Sequence, residues 1–217
     1  MKSAFIAGST GYLGSGLAKR LLENGYTVEA LVRDGSEQKA PSGCKIITGN
    51  PLNPETYQQS ISSLTFIHLI GVPNPSPAKA NLFRQIDLPA AIASIDAAKH
   101  ANVKHFIYVS VAHPAPVMKA YIQTRMEAEA KVRDSGLNAT ILRPWYVLGP
   151  GHRWAYALIP LYKLFEMIPA TRPGALRCGL ITLHQMLAAL VHAVENPAQG
   201  LRVIDVPQIR RLLKPNV

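Results

Sequence analysis

Two hydrophobic periods alternate along the first two thirds of the chain. Short apolar runs at residues 4–7, 27–33, 45–50, 65–71, 105–111 and 138–144 predict six strands. Between them, apolar residues recur every three or four positions, the period of an amphipathic helix, at 15–24, 81–101 and 117–135. Gly25 and Gly136 stop two of these helices. Pro89 forces a kink or a late start on the third, because it carries no backbone N–H. Asn53 before Pro54 predicts the start of a further helix. Strands alternating with helices predict an α/β fold, a doubly wound parallel sheet covered on both faces. Beyond residue 150 the pattern is less regular. Residues 154–167 predict an amphipathic helix, 176–182 an extended segment, 184–195 a helix and 201–206 a last strand. The chain therefore divides into a core at 1–150 and a small C-terminal lobe at 151–217 packed on it, as one domain overall.

In such a sheet, ligands bind beyond the carboxyl ends of the strands. Gly8, Arg33, Asn50, Gly71, Ser110 and Pro144 all fall at such ends. The first strand runs into Gly8-Ser9-Thr10-Gly11-Tyr12-Leu13-Gly14, a strand–glycine turn–helix passage that offers backbone N–H groups and a helix N-terminus to a pyrophosphate. Gly8 allows the tight turn, Gly11 lets the backbone approach the phosphates, and Gly14 lets helix and strand pack closely. The residue about 20 positions past the glycines faces the adenosine ribose. Here it is Arg33, a planar donor fork suited to a 2′-phosphate, so NADP(H) is expected over NAD(H). Asp34 beside it keeps NAD(H) open. Asn50 and Leu52 after the third strand, Ile70 and Gly71 at the end of the fourth, and Pro144 after the sixth complete the cofactor-binding candidates. The proline-rich loop 72–78 is a candidate lid.

Tyr121 and Arg125 lie four apart on one helix and share a face. A tyrosine beside a fixed cation has its phenolate favoured and can handle the proton that accompanies hydride transfer. Ser110, earlier in the chain, is placed to hydrogen-bond a substrate carbonyl. Ser110, Tyr121 and Arg125 are the catalytic candidates. His152, Arg153 and Trp154 sit in a loop expected to face the substrate.

Charge and cysteine usage narrow the field. The net charge is +10, from 23 basic and 13 acidic residues, but it is scattered along the chain. A phosphorylated cofactor, an anionic membrane surface and nucleic acid would each suit a basic protein; no helix-turn-helix or RNA-binding signature accompanies the charge, and no nucleic-acid partner is expected. Arg210, Arg211 and Lys214 read as a small solvated basic tail. Two distant cysteines, Cys44 and Cys178, argue against a disulfide framework or structural zinc and fit a reducing, cytoplasmic setting. His68, His105, His113 and His184 have no metal-ligand spacing, so no metal site is expected. No run reaches the ~18 apolar residues of a transmembrane helix. The apolar, aromatic stretch 154–169 reads first as a lid over the cofactor cleft, and otherwise as a surface for a partner or a membrane. A monomer or homodimer is expected.

The glycine turn, Val32-Arg33-Asp34, Val109-Ser110, Tyr121-Ile-Gln-Thr-Arg125 and Ile141-Leu-Arg-Pro144 together resemble the short-chain dehydrogenase/reductase superfamily. The likeness is to its atypical branch, the NmrA-like proteins and relatives of the NADP-binding accessory subunit of respiratory complex I. Residues 142–154 resemble the substrate-side loop of bacterial members labelled epimerase/dehydratase. The resemblance implies a Rossmann-like fold, dinucleotide binding, and an NADPH-dependent oxidoreductase or epimerase-like enzyme acting on a small carbonyl or alcohol. Two departures stand out: Arg125 replaces the family's lysine, and Asn50 stands where many members have aspartate. Some atypical members with altered catalytic residues are binding or regulatory proteins, so a non-catalytic NADP(H)-binding sensor or assembly factor is the alternative.

Overall fold

The computed structural model describes residues 2–150 and 153–213, with the side chains of 153–155 also outside the description. Seven parallel strands form the main sheet: β1 (Ser3–Ala7), β2 (Thr27–Val32), β3 (Lys45–Thr48), β4 (Thr65–His68), β5 (His105–Val109), β6 (Ala139–Arg143) and, beyond a smaller pair, β9 (Leu201–Asp205). Their order is β3-β2-β1-β4-β5-β6-β9, so the direction of winding reverses between β1 and β4. Ligands bind at such a reversal in open α/β sheets.

Alternation along each strand sends side chains to two cores. Ala4 and Ile6 of β1, Ile67 of β4 and Ile107 of β5 meet α1 (Tyr12–Glu23), α7 (Leu183–Glu195) and α8 (Val206–Arg211) on one face. Phe5, Phe66, Phe106 and Tyr108 point to the other face, toward α3 (Leu88–His100) and α4 (Lys119–Asp134). Phe5, Phe66 and Phe106 are register partners on adjacent strands, and their rings stack across them at 4.7 and 5.4 Å.

Two histidines sit in this sheet as neutral core residues. His68 Nδ1 pairs with the Ser94 hydroxyl at 2.8 Å, and His105 Nε2 with the Thr140 hydroxyl at 2.9 Å. Burial, with nearby arginines, lowers His68 to about 3 and His105 to about 4. The unfolded chain takes up a proton on each near pH ~6.5, whereas the folded chain does not until much lower pH. Stability is therefore expected to fall as the pH drops below ~6.5, with a slope approaching two protons by pH ~5. Denaturant midpoints measured between those values check this, and His105→Gln should remove about one proton from the slope.

Several elements differ from expectation. After Asn53 there is no α-helix but two 3₁₀ turns, Pro54–Thr56 and Gln58–Ser60. The Asn53 side chain still caps the first, accepting the Glu55 N–H at 3.2 Å. The expected helix at 81–101 is continuous but mixed. It runs from a short α2 (Ala80–Leu82) through a π-helical turn, Phe83–Asp87, into α3. Pro89 lies in the first turn of α3, where its missing N–H is tolerated, so the irregularity falls just before it. In the C-terminal lobe, β7 (Tyr146–Leu148) pairs in parallel with β8 (Leu180–Thr182). This second sheet is too short to show a period in sequence. The stretch read as one amphipathic helix splits into a 3₁₀ segment, Arg153–Leu158, and α5 (Ile159–Met167), whose first turn holds Pro160. Where an extended segment is expected, α6 (Arg172–Arg177) precedes β8. Arg210 belongs to α8 and not to a solvated tail. It donates to the Leu180 carbonyl at 3.1 Å and pairs with Glu166 at 2.7 Å. Lys214 lies outside the described residues. Since β9, α7 and α8 complete the main sheet and one of its faces, the lobe and the core share a hydrophobic interior.

Candidate functional site

A cleft of about 570 Å³ opens along the carboxyl ends of β1, β2, β3 and β4. Gly8, Thr10 and Gly11 form its centre. Gly8 has φ +94°, a left-handed conformation that favours glycine, and its carbonyl accepts the Gly11 N–H at 3.1 Å. A Cβ on Gly14 would overlap the Gly8 carbonyl oxygen and lie 2.8 Å from its carbon, so helix and turn touch backbone to backbone. Gly11 begins α1 without a side-chain cap, and no acidic residue occupies the first turn. This leaves N–H groups and the positive end of the helix for an anion. The other residues of the stretch support the turn. Ser9 is fully buried, and its hydroxyl donates to the Leu31 carbonyl at 3.1 Å, away from the cleft. Leu13 packs on the α1 core, and the Tyr12 phenol lies where a side chain on Gly149 would sit. Ser9, Tyr12, Leu13 and Gly14 do not line the cleft.

One end is lined by Arg33, Ser36, Lys39, Asn50 and Leu52. Arg33 and Lys39 are exposed, and neither side chain has a hydrogen bond or ion pair with another described residue. Asp34 does not line the cleft. Asn50 turns its side-chain oxygen onto the Leu52 N–H at 3.0 Å, shaping the loop and leaving its amide NH₂ to donate. Ser36 and Lys39 escaped the sequence reading, because only the 3₁₀ turn Glu37–Lys39 folds them back beside Arg33.

The opposite end is lined by Leu69, Ile70, Gly71, Val72, Pro73 and Lys79, with Leu82 and Ile86. The Lys79 ammonium ties the proline-rich loop shut on itself, donating to the Pro73 carbonyl at 2.7 Å and the Asn74 carbonyl at 3.0 Å. Beneath this end lies a buried ion pair. Asp87 accepts the Val72 N–H at 2.8 Å on one oxygen and Arg125 Nη2 at 3.0 Å on the other. Arg125 Nη1 donates to the Val109 carbonyl at 3.0 Å, and the guanidinium lies over the Tyr121 ring, 5.2 Å from its centre. Phe83 meets the Tyr121 ring edge-on at 5.0 Å. Burial pushes the Asp87 carboxyl up, while Arg125 and the Val72 N–H oppose it.

This geometry corrects the role expected of Arg125. It is 6% exposed, is absent from the cleft lining, and its two outer nitrogens are committed to protein acceptors. It pins Gly71 and Val72 to the tyrosine helix and does not present a cation to a ribose. Phe83 and Asp87 were also missed in sequence, since a π-helical turn breaks the period that would align them with Tyr121 and Arg125.

Ser110 and Pro144 lie next along the sheet and do not line the cleft either; nor does Tyr121, which is half-buried at the start of α4. Ser110 is 3% exposed, and its hydroxyl makes no hydrogen bond of ordinary geometry. It lies near Glu129, a fully buried carboxylate that accepts from Arg143 Nε at 2.9 Å and Arg133 Nη2 at 2.8 Å. Burial opposes the charge on Glu129, but Arg143, Ser110 and His113 outweigh it and hold the carboxyl below its usual range. Among the described residues, no part of α5 lines the cleft, so the lid reading of that segment is not what the fold shows. His152 and the side chains of Arg153 and Trp154 lie outside the described residues. No described helix is long and apolar enough to cross a membrane.

The sheet order, the reversal point and the glycine turn define a Rossmann-type dinucleotide-binding protein. A family described as NAD(P)H-binding matches residues 8–158, and the chain belongs to it. It is 25% identical over 209 residues to the ceramide reductase of Caulobacter vibrioides, covering 95% of this chain and 64% of the relative. It is 35% identical over 112 residues to the photosystem II assembly factor Ycf39 of Guillardia theta, covering 50% of this chain and 35% of the relative. The chain thus spans less than two thirds of either relative's length. The fold is shared with the Bordetella bronchiseptica enzyme WbmH, solved with NAD⁺, at a TM-score of 0.69 and 20% identity, over 94% of this chain and 75% of that one.

Proposed function

We propose that the chain binds NADP(H) in preference to NAD(H) and is an oxidoreductase, or an epimerase-like enzyme, acting on a small carbonyl or alcohol. The carrying observation is the pair Arg33 and Lys39, two cations without partners among the described residues at one end of the cleft, with Asp34 outside it. The glycine turn would take the pyrophosphate, Arg33 and Lys39 the 2′-phosphate, and the backbone of Ile70 and Gly71 the nicotinamide half. Arg33→Ala is expected to weaken NADPH binding by about 10- to 100-fold, the worth of a charge-assisted contact, and to leave NADH binding unchanged. Lys39→Ala should do less, because an ammonium lacks the planar fork. Fluorescence titration with both nucleotides measures this, and equal affinities in the unmutated protein would sink the assignment.

Bound there, a reduced nicotinamide supplies a hydride. The residues of the chain have the protons to manage. Tyr121, its ring held between Phe83 and Arg125, is the proton donor to a carbonyl oxygen, and the Ser110 hydroxyl, turning from Glu129, orients that oxygen. Reductases among the relatives support this reading, including an NAD(P)H azoreductase of Xenophilus azovorans, 26% identical over 146 residues. The test is NADPH oxidation over a panel of aldehydes, ketones and quinones. On any accepted substrate, Tyr121→Phe should lower turnover by about two to four orders of magnitude while NADPH binding persists. Full turnover in that variant would exclude the mechanism.

One observation favours a second reading, a non-catalytic NADP(H)-binding sensor or assembly factor. Arg125 is buried against Asp87, so the cation that the family's lysine supplies to the ribose is missing from the cleft. Binding without turnover across the panel would favour it.

A further inference from the structure

The C-terminal lobe holds a second cavity. Ile159, Tyr162, Lys163 and Glu166 follow the three- and four-residue spacing of one face of α5, and all four line it. Leu148 of β7, Leu180 of β8 and Leu213 after α8 add apolar wall. Its volume is about 440 Å³, within the ~300–1,000 Å³ of small-molecule sites. None of its lining residues lines the cleft at the ends of β1 to β4.

The polar side chains of this cavity are fixed by the fold. Arg210 donates from Nε to the Leu180 carbonyl at 3.1 Å and from Nη1 to Glu166 at 2.7 Å, so the one carboxylate in the lining is neutralised. Gln185 turns its side-chain oxygen onto the Thr182 N–H at 2.8 Å, in the capping box of α7, which leaves its amide NH₂ free to donate. Lys163 has no hydrogen bond or ion pair with another described residue. One ammonium and one amide NH₂ therefore stand uncommitted beside apolar walls, and both are donors. Two cations against one carboxylate give the lining a net positive charge. A pair of donors suits the two oxygens of a single carboxylate, with a charge-assisted bond to the ammonium. A phosphate dianion would find no second free cation, and a cationic ligand no free acid.

We infer that this cavity binds a small carboxylate with an apolar body. Lys163 and the Gln185 amide hold the carboxylate, and Leu148, Ile159, Leu180 and Leu213 cover the body. The inference does not rest on the cofactor assignment, because the two sites share no residue.

Octanoate is the probe that tests it. The reporter is the Trp145 indole N–H, which donates to the Tyr162 phenol oxygen at 3.2 Å and so senses the cavity wall. Trp145 and Trp154 are the two tryptophans of the chain, so a ¹H–¹⁵N spectrum carries two indole signals, and Trp154→Phe assigns them. Octanoate is expected to move the Trp145 signal and to saturate it with a Kd of about 1 mM or below. Octanol has the same body without the charge, and acetate the charge without the body; each should bind at least about tenfold more weakly. Lys163→Gln alters an exposed position. It should weaken octanoate about tenfold and leave both the octanol response and the thermal midpoint as they were. NADPH titrations should be the same with and without octanoate. The proposal is overturned if octanoate gives no saturable shift up to about 10 mM. It is equally overturned if octanol binds as tightly as octanoate, or if the Lys163→Gln variant binds octanoate like the parent. Competition between octanoate and NADPH is a further contrary result, since it would place octanoate in the cleft.

Discussion

Gly14→Ala is expected to lower dinucleotide affinity by about 100-fold or more and the thermal midpoint by roughly 5–10 °C. The cause is local and steric. The added methyl would overlap the Gly8 carbonyl oxygen and lie 2.8 Å from both Gly8 C and Ser9 Cα, all of them backbone atoms that no rotamer change can move. Helix α1 must then back away from the turn. Overpacking of this kind costs about 1–3 kcal/mol or somewhat more, and a domain of this size loses roughly 2–4 °C per kcal/mol. Affinity suffers more than stability, because the shift moves the N–H groups that would hold the phosphates. Gly25→Ala is the matched control. Gly25, unlike the helical Gly14, has a positive φ, +76°, but nothing lies within 4 Å of its added Cβ. It should cost only about 1 kcal/mol and leave affinity unchanged. Thermal melts with NADPH titration separate the two, and an unaffected affinity in Gly14→Ala would mean that the turn does not hold the ligand.

Asp87→Ala is expected to destabilise the fold by about 3–5 kcal/mol, among the largest single-residue effects in this chain. Asp87 is 1% exposed and Arg125 6%, so removing the carboxylate strands a buried guanidinium. The Val72 N–H loses its acceptor in the same step. A double-variant cycle distinguishes the stranded charge from lost packing. Asp87→Ala with Arg125→Met should be less destabilised than Asp87→Ala alone, because no charge is left unpaired. Asp87→Asn should fall between, since its side-chain oxygen can still accept from Val72. Denaturant unfolding measures all three. If the double variant is the least stable, the pair stabilises by packing and not by charge compensation. Weaker NADPH binding by Asp87→Asn would show further that the pair positions the Gly71–Val72 end of the cleft.

Much of the site was legible from residue types at fixed spacings. The glycines at positions 8, 11 and 14 can be read from sequence because each answers a backbone constraint acting within seven residues. Arg33, Asn50 and Gly71 follow once the strands are placed, because each ends a strand and parallel strands end on one side. Lys39 and Asp87 were not legible. Lys39 reaches the cleft through a loop with no periodicity, and Asp87 through a π-helical turn that changes the helical phase. Arg125 was legible as a residue but not in its role. Four-residue spacing from Tyr121 put both on one helix face, yet whether a guanidinium there meets a ribose or a buried carboxylate depends on a residue 38 positions earlier.

The division has a physical basis. Hydrophobic period, glycine turns and strand order are dictated by interactions between near neighbours and by the need of each apolar face to be covered. Those alone determined a parallel α/β sheet, a glycine turn after its first strand and the strand ends that gather along one edge. Burial, charge pairing and exposure are decided by contacts between distant segments. Only the tertiary structure turned Arg125 into a pin, brought Lys39 beside Arg33, drew Arg210 from the expected tail onto Glu166, and left Leu161, Leu164 and Phe165 of α5 exposed among the described residues.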